Sequence, residues 1–463
     1  MVCQNKFICK YFPFLNIKLF TKNLTNPWEA IMIGFIILAA LIITEIVFAI
    51  LRLTKRLNLH REKSKLRISI FIIFLILVIS PVIDWGFQWY MLGLVLFIQA
   101  VISSINLIRN KYNPIFNKRK IIFSSINYIF LITIAVISII IFPQYEPLKI
   151  TGNHLINTVN YTLTDESRPE FFTEENDNRK VSMQFWYPAD EGKYPLVVFS
   201  HGAFGYRLSN YSTYAELASN GYVVCSIDHT FHAFMTIEED GNKVIANMDF
   251  INDAINATNG VITDEEVYKL QQDWMTLRSD DMNFVLNHIV NNASQPDNEQ
   301  VYQSIDLEHI GVMGHSMGGA TAAKIGRMRD DVDAVIVIDG TMFGEITGFE
   351  DGKNVITNIP YPKPIMNLYN ESHYYDEAIK DLNNYPNSVA MKNAVDSYNV
   401  VVKGSGHMNF TDLPIVSPFL ASTLGTGNID AKYCIEKTNE IVLEFFDKHL
   451  KSSPIDIQRE SIY

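Results

Sequence analysis

The chain has 463 residues, more than one ordinary domain holds, with 48% hydrophobic residues and a net charge of −12. That charge is unevenly placed: residues 1–149 carry 17 Lys+Arg against 5 Asp+Glu, and the remainder is net −24. An acidic second part has nothing to neutralise phosphates with, which argues against a nucleic-acid partner, and four cysteines without a C-x-x-C pair leave no zinc or redox signature.

In chain order, four apolar stretches come first, at 30–51, 66–85, 86–108 and 121–142. Each approaches the ~20 residues that cross a hydrocarbon core, so residues 1–149 are expected to be a membrane region of about four transmembrane helices. No small-residue cleavage site follows the first stretch, which is read as a retained helix. Residues 52–67 hold seven Lys/Arg and 109–120 hold five, against four lysines before Pro27. The positive-inside rule places the twelve in the cytoplasm, so the C-terminal domain is expected on the extracytoplasmic side of the cell membrane. Glu45 lies inside the first stretch and is either a functional carboxylate or a paired one near an interface.

Residues 150–463 alternate strand and helix patterns. Strands are expected at 181–186, 196–200, 222–227, 309–313, 334–339, 364–369 and 398–403, several as continuous apolar runs that suit strands covered on both faces. Helices are expected at 211–219, 267–290, 319–327 and 437–450. This alternation implies an α/β fold with a mostly parallel, doubly wound sheet, whose ligands bind beyond the C-terminal strand ends. The polar stretch 233–272 reads as a surface insertion or lid. Cys225 and Cys434 are expected as buried free thiols, a disulfide between them being the alternative.

The segment Gly314-His315-Ser316-Met317-Gly318 carries the chemistry. It follows an apolar run and precedes a small-residue helix start, which is the setting of a nucleophile elbow. Glycines flank the serine because a side chain there would meet the neighbouring strand or helix. A serine hydroxyl needs a general base, and the base an orienting acid. In such sheets the chain order is serine, acid, histidine. His407, in Lys403-Gly404-Ser405-Gly406-His407 after the last strand, is the preferred base, with His373 as its competitor and His449 assigned to a surface helix. Asp339 ends the strand after the elbow helix and is the preferred acid, with Asp376 and Asp412 as alternatives. The N–H groups of Met317 and of Ala203, after the strand ending at Ser200, are the expected oxyanion donors. His201 is expected to be structural beneath that loop. Phe204, Phe343 and Phe410 are candidates to line an acyl site, core packing being the alternative for each. Asp228, His229 and His232 have no further ligand near them in the sequence, so no metal and no cofactor is expected.

With these residues in place, the chain from about 180 to 450 resembles the plasma/intracellular type II platelet-activating factor acetylhydrolases of the α/β-hydrolase superfamily. The likeness lies in Tyr194-Pro-Leu-Val-Val-Phe-Ser-His-Gly202, Leu217-Ala-Ser-Asn-Gly-Tyr222, Gly314-His-Ser-Met-Gly-Gly-Ala-Thr321, Ile338-Asp-Gly-Thr-Met342 and Gly404-Ser-Gly-His-Met-Asn-Phe-Thr-Asp412. The resemblance implies Ser316 as nucleophile, Asp339 as acid, His407 as base, and Ala203 and Met317 as oxyanion donors. It also implies calcium-independent hydrolysis of short or oxidised sn-2 acyl esters of phospholipids. The chain departs from the family in its helical N-terminal region, in Met317, and in Gly340-Thr341 after the acid, positions that line the acyl pocket.

The expected function is thus a membrane-anchored serine ester hydrolase acting on lipid or lipid-like esters through an acyl-enzyme. Partners are an ester substrate and the bilayer. The alternatives are an acyltransferase, an esterase of the cutinase or dienelactone-hydrolase kind on the same triad, and a non-catalytic membrane sensor.

Overall fold

The protein is described here by a computed structural model covering residues 27–463 except 57–58, 81, 110–115, 174–176 and 297. Cys3, Cys9 and the four lysines before Pro27 lie outside the described residues, as do residues 110–115 of the 109–120 loop. The chain divides into two compact units: Met1–Glu146 with Val416–Phe419, and Pro147–Ile415 with Leu420–Tyr463.

The first unit contains helices α1 (Pro27–Thr54), α2 (His60–Ile79), α3 (Phe87–Ile108) and α4 (Lys118–Ile141). Three have stretches long and apolar enough to cross a membrane: Gly34–Thr54, Phe87–Ile108 and Lys118–Ile141. The second is displaced from the expected 66–85. Its first turns are the charged His60–Arg67 segment, whose Glu, Lys and Arg are good helix formers, and it stops before Ser80, which precedes a proline. At about 1.5 Å per residue, its twenty residues cover about 30 Å only if those charged turns are included. Glu45 is buried among Lys63, Arg67 at 3.5 Å and the Ser125 hydroxyl at 2.7 Å, so the paired reading of this carboxylate describes it.

The second unit is built on a nine-stranded sheet in the order β1-β2-β4-β3-β7-β8-β11-β12-β13. The strands are β1 (Ile156–Pro169), β2 (Asn178–Pro188), β3 (Tyr194–Ser200), β4 (Val223–Asp228), β7 (Ile305–His315), β8 (Ala334–Ile338), β11 (Ile365–Asn370), β12 (Ser397–Val402) and β13 (Glu460–Ile462). The β1–β2 and β2–β4 pairs are antiparallel and every later pair is parallel. Each expected strand is present. The two edge strands β1 and β13 were not legible: β1 is largely polar and exposed on alternate residues, so it offers no apolar run.

Helices cover both faces. On one, α7 (Asp264–Ala293) and α8 (Met317–Met328) bring Met282, Val285, Leu286, Ile289, Ala322 and Ile325 onto Val198, Val312 and Val337. On the other, α5 (Tyr211–Ser219) and α10 (Ala431–Leu450) bring Tyr214, Leu217, Val442, Phe445 and Phe446 onto Phe199, Met313 and Ile336. Cys225 and Cys434 belong to opposite faces and are free. The 233–272 stretch is more ordered than a solvated excursion. It forms a hairpin of β5 (Met235–Ile237) and β6 (Lys243–Ile245), helix α6 (Met248–Thr258), and the start of α7 at a Thr263/Glu266 capping box. A second small hairpin, β9 (Ile346–Glu350) and β10 (Lys353–Ile356), follows β8, and α9 (Pro386–Lys392) precedes β12.

Candidate active site

The turn from β7 into α8 places Ser316 at the helix N-cap with φ 55° and ψ −126°. Its own N–H donates to Ile338 O at 2.8 Å, so the sheet ladder continues into the turn. The tightness explains the flanking glycines. A Cβ on Gly314 would lie 2.2 Å from Gly318 O, and one on Gly318 would lie 1.9 Å from Ser200 O of the adjacent strand. Three non-glycine residues here have positive φ: Phe204 (58°), Ser316 (55°) and Asp339 (49°). Backbone strain of this kind, about 1–3 kcal/mol per residue, gathers where a side chain must be aimed rather than packed.

Asp339 follows β8 directly and its side chain is fully buried. Its carboxylate accepts four hydrogen bonds: Asn370 N (2.8 Å) and His373 Nδ1 (2.9 Å) on Oδ1, and Asn370 Nδ2 (2.6 Å) and His407 Nδ1 (2.6 Å) on Oδ2. Burial alone would raise this carboxyl. The bonds from His373 and His407 outweigh it and hold Asp339 well below the usual carboxylate range. Both histidines weighed from sequence therefore reach the same acid, and they differ in what their second nitrogen meets. His373 Nε2 is taken by the Tyr385 hydroxyl at 2.6 Å, and the ring is buried. The His407 side chain is 38% exposed. Asp376 pairs with Lys380 at the surface, and Asp412 receives the Ser212 amide.

His407 is held beside the elbow. His315 Nε2 donates to the His407 carbonyl at 3.0 Å, and the two rings lie 4.5 Å apart. Burial, with the neighbouring His407, pushes His315 down to about 3, so it stays neutral. Ser316 is close to these groups but, among the described residues, its hydroxyl makes no hydrogen bond. The structure thus joins Asp339 to His407 and places Ser316 next to them without the last link.

The loop after β3 approaches the elbow from the other side. A Cβ on Gly202 would stand 3.1 Å from Ser316 Cβ and from His315 Nδ1. Met317 is the first residue of α8, where an N–H has no partner within its own helix. Ala203, Met317 and Phe343 share one apolar cluster with Phe250, Trp274, Met275 and Leu270. Phe204 is 36% exposed and lies 5.1 Å ring to ring from Phe250. Phe410 differs: it is 1% exposed and packs in the core with Phe445 and Phe446, so core packing accounts for it.

Asp228, His229 and His232 have separate partners. Asp228 binds the Arg207 guanidinium and amide, His229 lies between Ser200 (2.8 Å) and Asp281 (3.1 Å), and His232 stacks on Phe250 at 3.8 Å. Ser200–His229–Asp281 is itself a serine, imidazole and carboxylate in hydrogen-bonded series. All three are buried with no opening to solvent, and burial pushes His229 down to about 4, so the series supports the loop above it. Asp281 is held further by Arg179 (2.7 Å) and Arg168 (3.0 Å). These charges were passed over in the sequence. The available signal was Arg278 and Asp281 standing on the same helical face as Trp274, Met275, Met282 and Val285.

Residues 172–458 match the model of the family "Platelet-activating factor acetylhydrolase, isoform II". Among curated proteins, the platelet-activating factor acetylhydrolases of Bos taurus and Canis lupus familiaris are each 26% identical, over 282 and 278 residues, covering 56% of this chain and 57% of theirs. The chain thus spans little more than half of those relatives. Cutinase 1 of Thermobifida cellulosilytica is 26% identical over 185 residues, 39% of this chain and 54% of that one. A ferulic acid esterase structure from Streptomyces cinnamoneus superposes with a TM-score of 0.50 at 22% identity, covering 66% of this chain and 93% of that one, a likeness of fold. The α/β-hydrolase architecture and the family match over more than half of the chain agree, and the protein belongs to the platelet-activating factor acetylhydrolase isoform II family, a family of ester hydrolases.

Proposed function

We propose that the protein is a membrane-anchored serine carboxylic-ester hydrolase acting on lipid or lipid-like acyl esters. The observation that carries this is the 2.6 Å bond from His407 Nδ1 to the buried Asp339 carboxylate, made beside a positive-φ serine at a strand-to-helix turn. With Nδ1–H donated to Asp339, His407 Nε2 is free to accept a proton. It takes the Ser316 proton as Oγ attacks the ester carbonyl, and the Ala203 and Met317 N–H groups hold the oxygen that becomes negative. His407 then protonates the departing alcohol. Water, deprotonated by the same imidazole, releases the acid and restores Ser316. The missing Ser316–His407 link is compatible with this order, since such bonds often form only with substrate present.

No step calls on calcium. The apolar cluster of Phe250, Trp274, Met317 and Phe343, with Phe204 against Phe250, suits the acyl chain. The names of the relatives point to acetyl esters and to cutin as the substrates to try first. Anchoring rests on the apolar helices of the first unit. Arg56 lies 5.4 Å over the Phe116 ring, which brings the α1–α2 and α3–α4 connections to one end of that unit. Their basic residues then face one compartment, and the hydrolase unit lies on the extracytoplasmic side. Full-length protein in detergent with a p-nitrophenyl ester series is the test. Turnover that persists in excess EGTA, falls with acyl length and vanishes in Ser316→Ala supports the reading; equal turnover in the variant overturns it.

A further inference from the structure

Arg278 heads the largest fully buried side chains among the described residues, and the reaction above makes no use of it. Its guanidinium forms no ion pair among the described residues. The nearest carboxylate, Asp281, is already bound by Arg179, Arg168 and His229. The Arg278 donors go instead to the loop after β3: Nη1 to His201 O at 2.6 Å and Nη2 to Gly202 O at 3.4 Å, with Nε toward His232 Nδ1 at 3.4 Å. Burial pushes its pKa down to about 9, so the group keeps its charge at neutral pH at a cost in solvation. A buried cation on neutral acceptors is a poor device for stability, which an apolar side chain of similar size supplies better.

Its placement has a directional consequence. In a trans peptide the C=O and N–H point opposite ways. Two successive carbonyls drawn toward α7 turn the N–H groups of Gly202 and Ala203 away from it. The loop meets the elbow at Gly202, where a Cβ would stand 3.1 Å from Ser316 Cβ and from His315 Nδ1. The Gly202 carbonyl is drawn the same way by two more donors, Gly205 N at 3.1 Å and His201 Nδ1 at 2.6 Å. The tautomer of His201 is fixed: its Nε2 accepts the His229 amide at 3.2 Å, so Nδ1 bears the hydrogen. A cation on the carbonyl side also polarises both peptides and makes their N–H groups stronger donors.

We infer that Arg278 is the positioning residue of the oxyanion loop, fixing the Ala203 N–H on the reacting ester from behind through the His201 and Gly202 carbonyls. This rests on the hydrolase reading above, and the test separates the two. The variants Arg278→Lys and Arg278→Met are compared with Phe446→Ala, a core change on the opposite face of the sheet. Full-length proteins in detergent are assayed with p-nitrophenyl acetate, active sites being counted by end-point fluorophosphonate labelling. Affinity for an aryl trifluoromethyl ketone, which becomes an oxyanion on binding, is measured in parallel.

The expected result is a kcat per active site lowered about 10–100-fold in Arg278→Met, with ketone affinity lowered by the same factor and KM within about threefold. Arg278→Lys should fall between Met and wild type, and Phe446→Ala should lose thermal stability while kcat per site holds. Wild-type kcat and ketone affinity in Arg278→Met overturn the inference. So does an effect confined to KM, or failure of both variants to fold, each of which makes the guanidinium a structural element only. A wild-type protein that takes no fluorophosphonate removes the hydrolase reading itself, and this inference with it, without recourse to any variant.

Discussion

Asp339 holds two imidazoles on one carboxylate, and that fixes what each residue change should do. In Asp339→Asn the amide nitrogen faces a ring nitrogen that should donate, which favours the wrong His407 tautomer; kcat should drop about 10⁴-fold in ester turnover with the fold retained. His373→Gln should be far milder, about tenfold or less, because one of four bonds to the carboxylate is lost and the base is untouched. A pH effect is expected at Asp412. Burial pushes this carboxyl up to about 6, above an unfolded value near 3.9. The folded state therefore holds the proton more tightly; the resulting stabilisation is complete below about pH 4 and disappears as pH rises through 6. Chemical denaturation from pH 4 to 7 should show wild type losing on the order of 2–3 kcal/mol relative to Asp412→Asn. The triad and elbow residues were legible because glycine spacing and strand-end position mark them. Arg278 and Asp281 showed only as charges on an apolar helical face, and Asn370 not at all, since no local motif marks the partners that the fold brings to them.

At the scale of elements, the strand-to-helix turn tolerates no added carbon on the β3 side. Gly318→Ala should abolish both the yield of folded, detergent-extracted protein and turnover, because the new methyl would overlap the Ser200 carbonyl of a neighbouring strand, where nothing flexible can yield. Phe446→Ala should cost about 3–5 kcal/mol, read as a lowered thermal midpoint, with the active-site geometry intact. The parallel strands could be read in advance because strands covered on both faces are runs of Val, Ile and Met, as in Ala334–Ile338. The antiparallel edge β1 could not, since it is mostly polar, and Val159, Tyr161 and Leu163, the side chains that pack on the core, are only partly buried. Helix α2 was displaced for a related reason: hydropathy sees the apolar residues, while the helix continues through charged turns that its neighbour Glu45 partners.

For the whole molecule, the proposed function follows from an acidic hydrolase unit joined to a basic, apolar one, which would hold a lipid esterase at a bilayer that carries its substrate. Protease added to intact cells should cleave the hydrolase unit at exposed loops, and protection until the cells are opened would contradict its extracytoplasmic placement. On the proposed reading, one serine, aimed by a strained turn and served by an imidazole on a buried carboxylate, is the nucleophile. Mapping the fluorophosphonate adduct of the full-length protein by peptide mass spectrometry tests this most directly. A single adduct on Ser316, absent in Ser316→Ala and slowed at least 10³-fold in His407→Ala, is the result expected. An adduct on another residue, or a Ser316 that stays unmodified in folded protein, would contradict it.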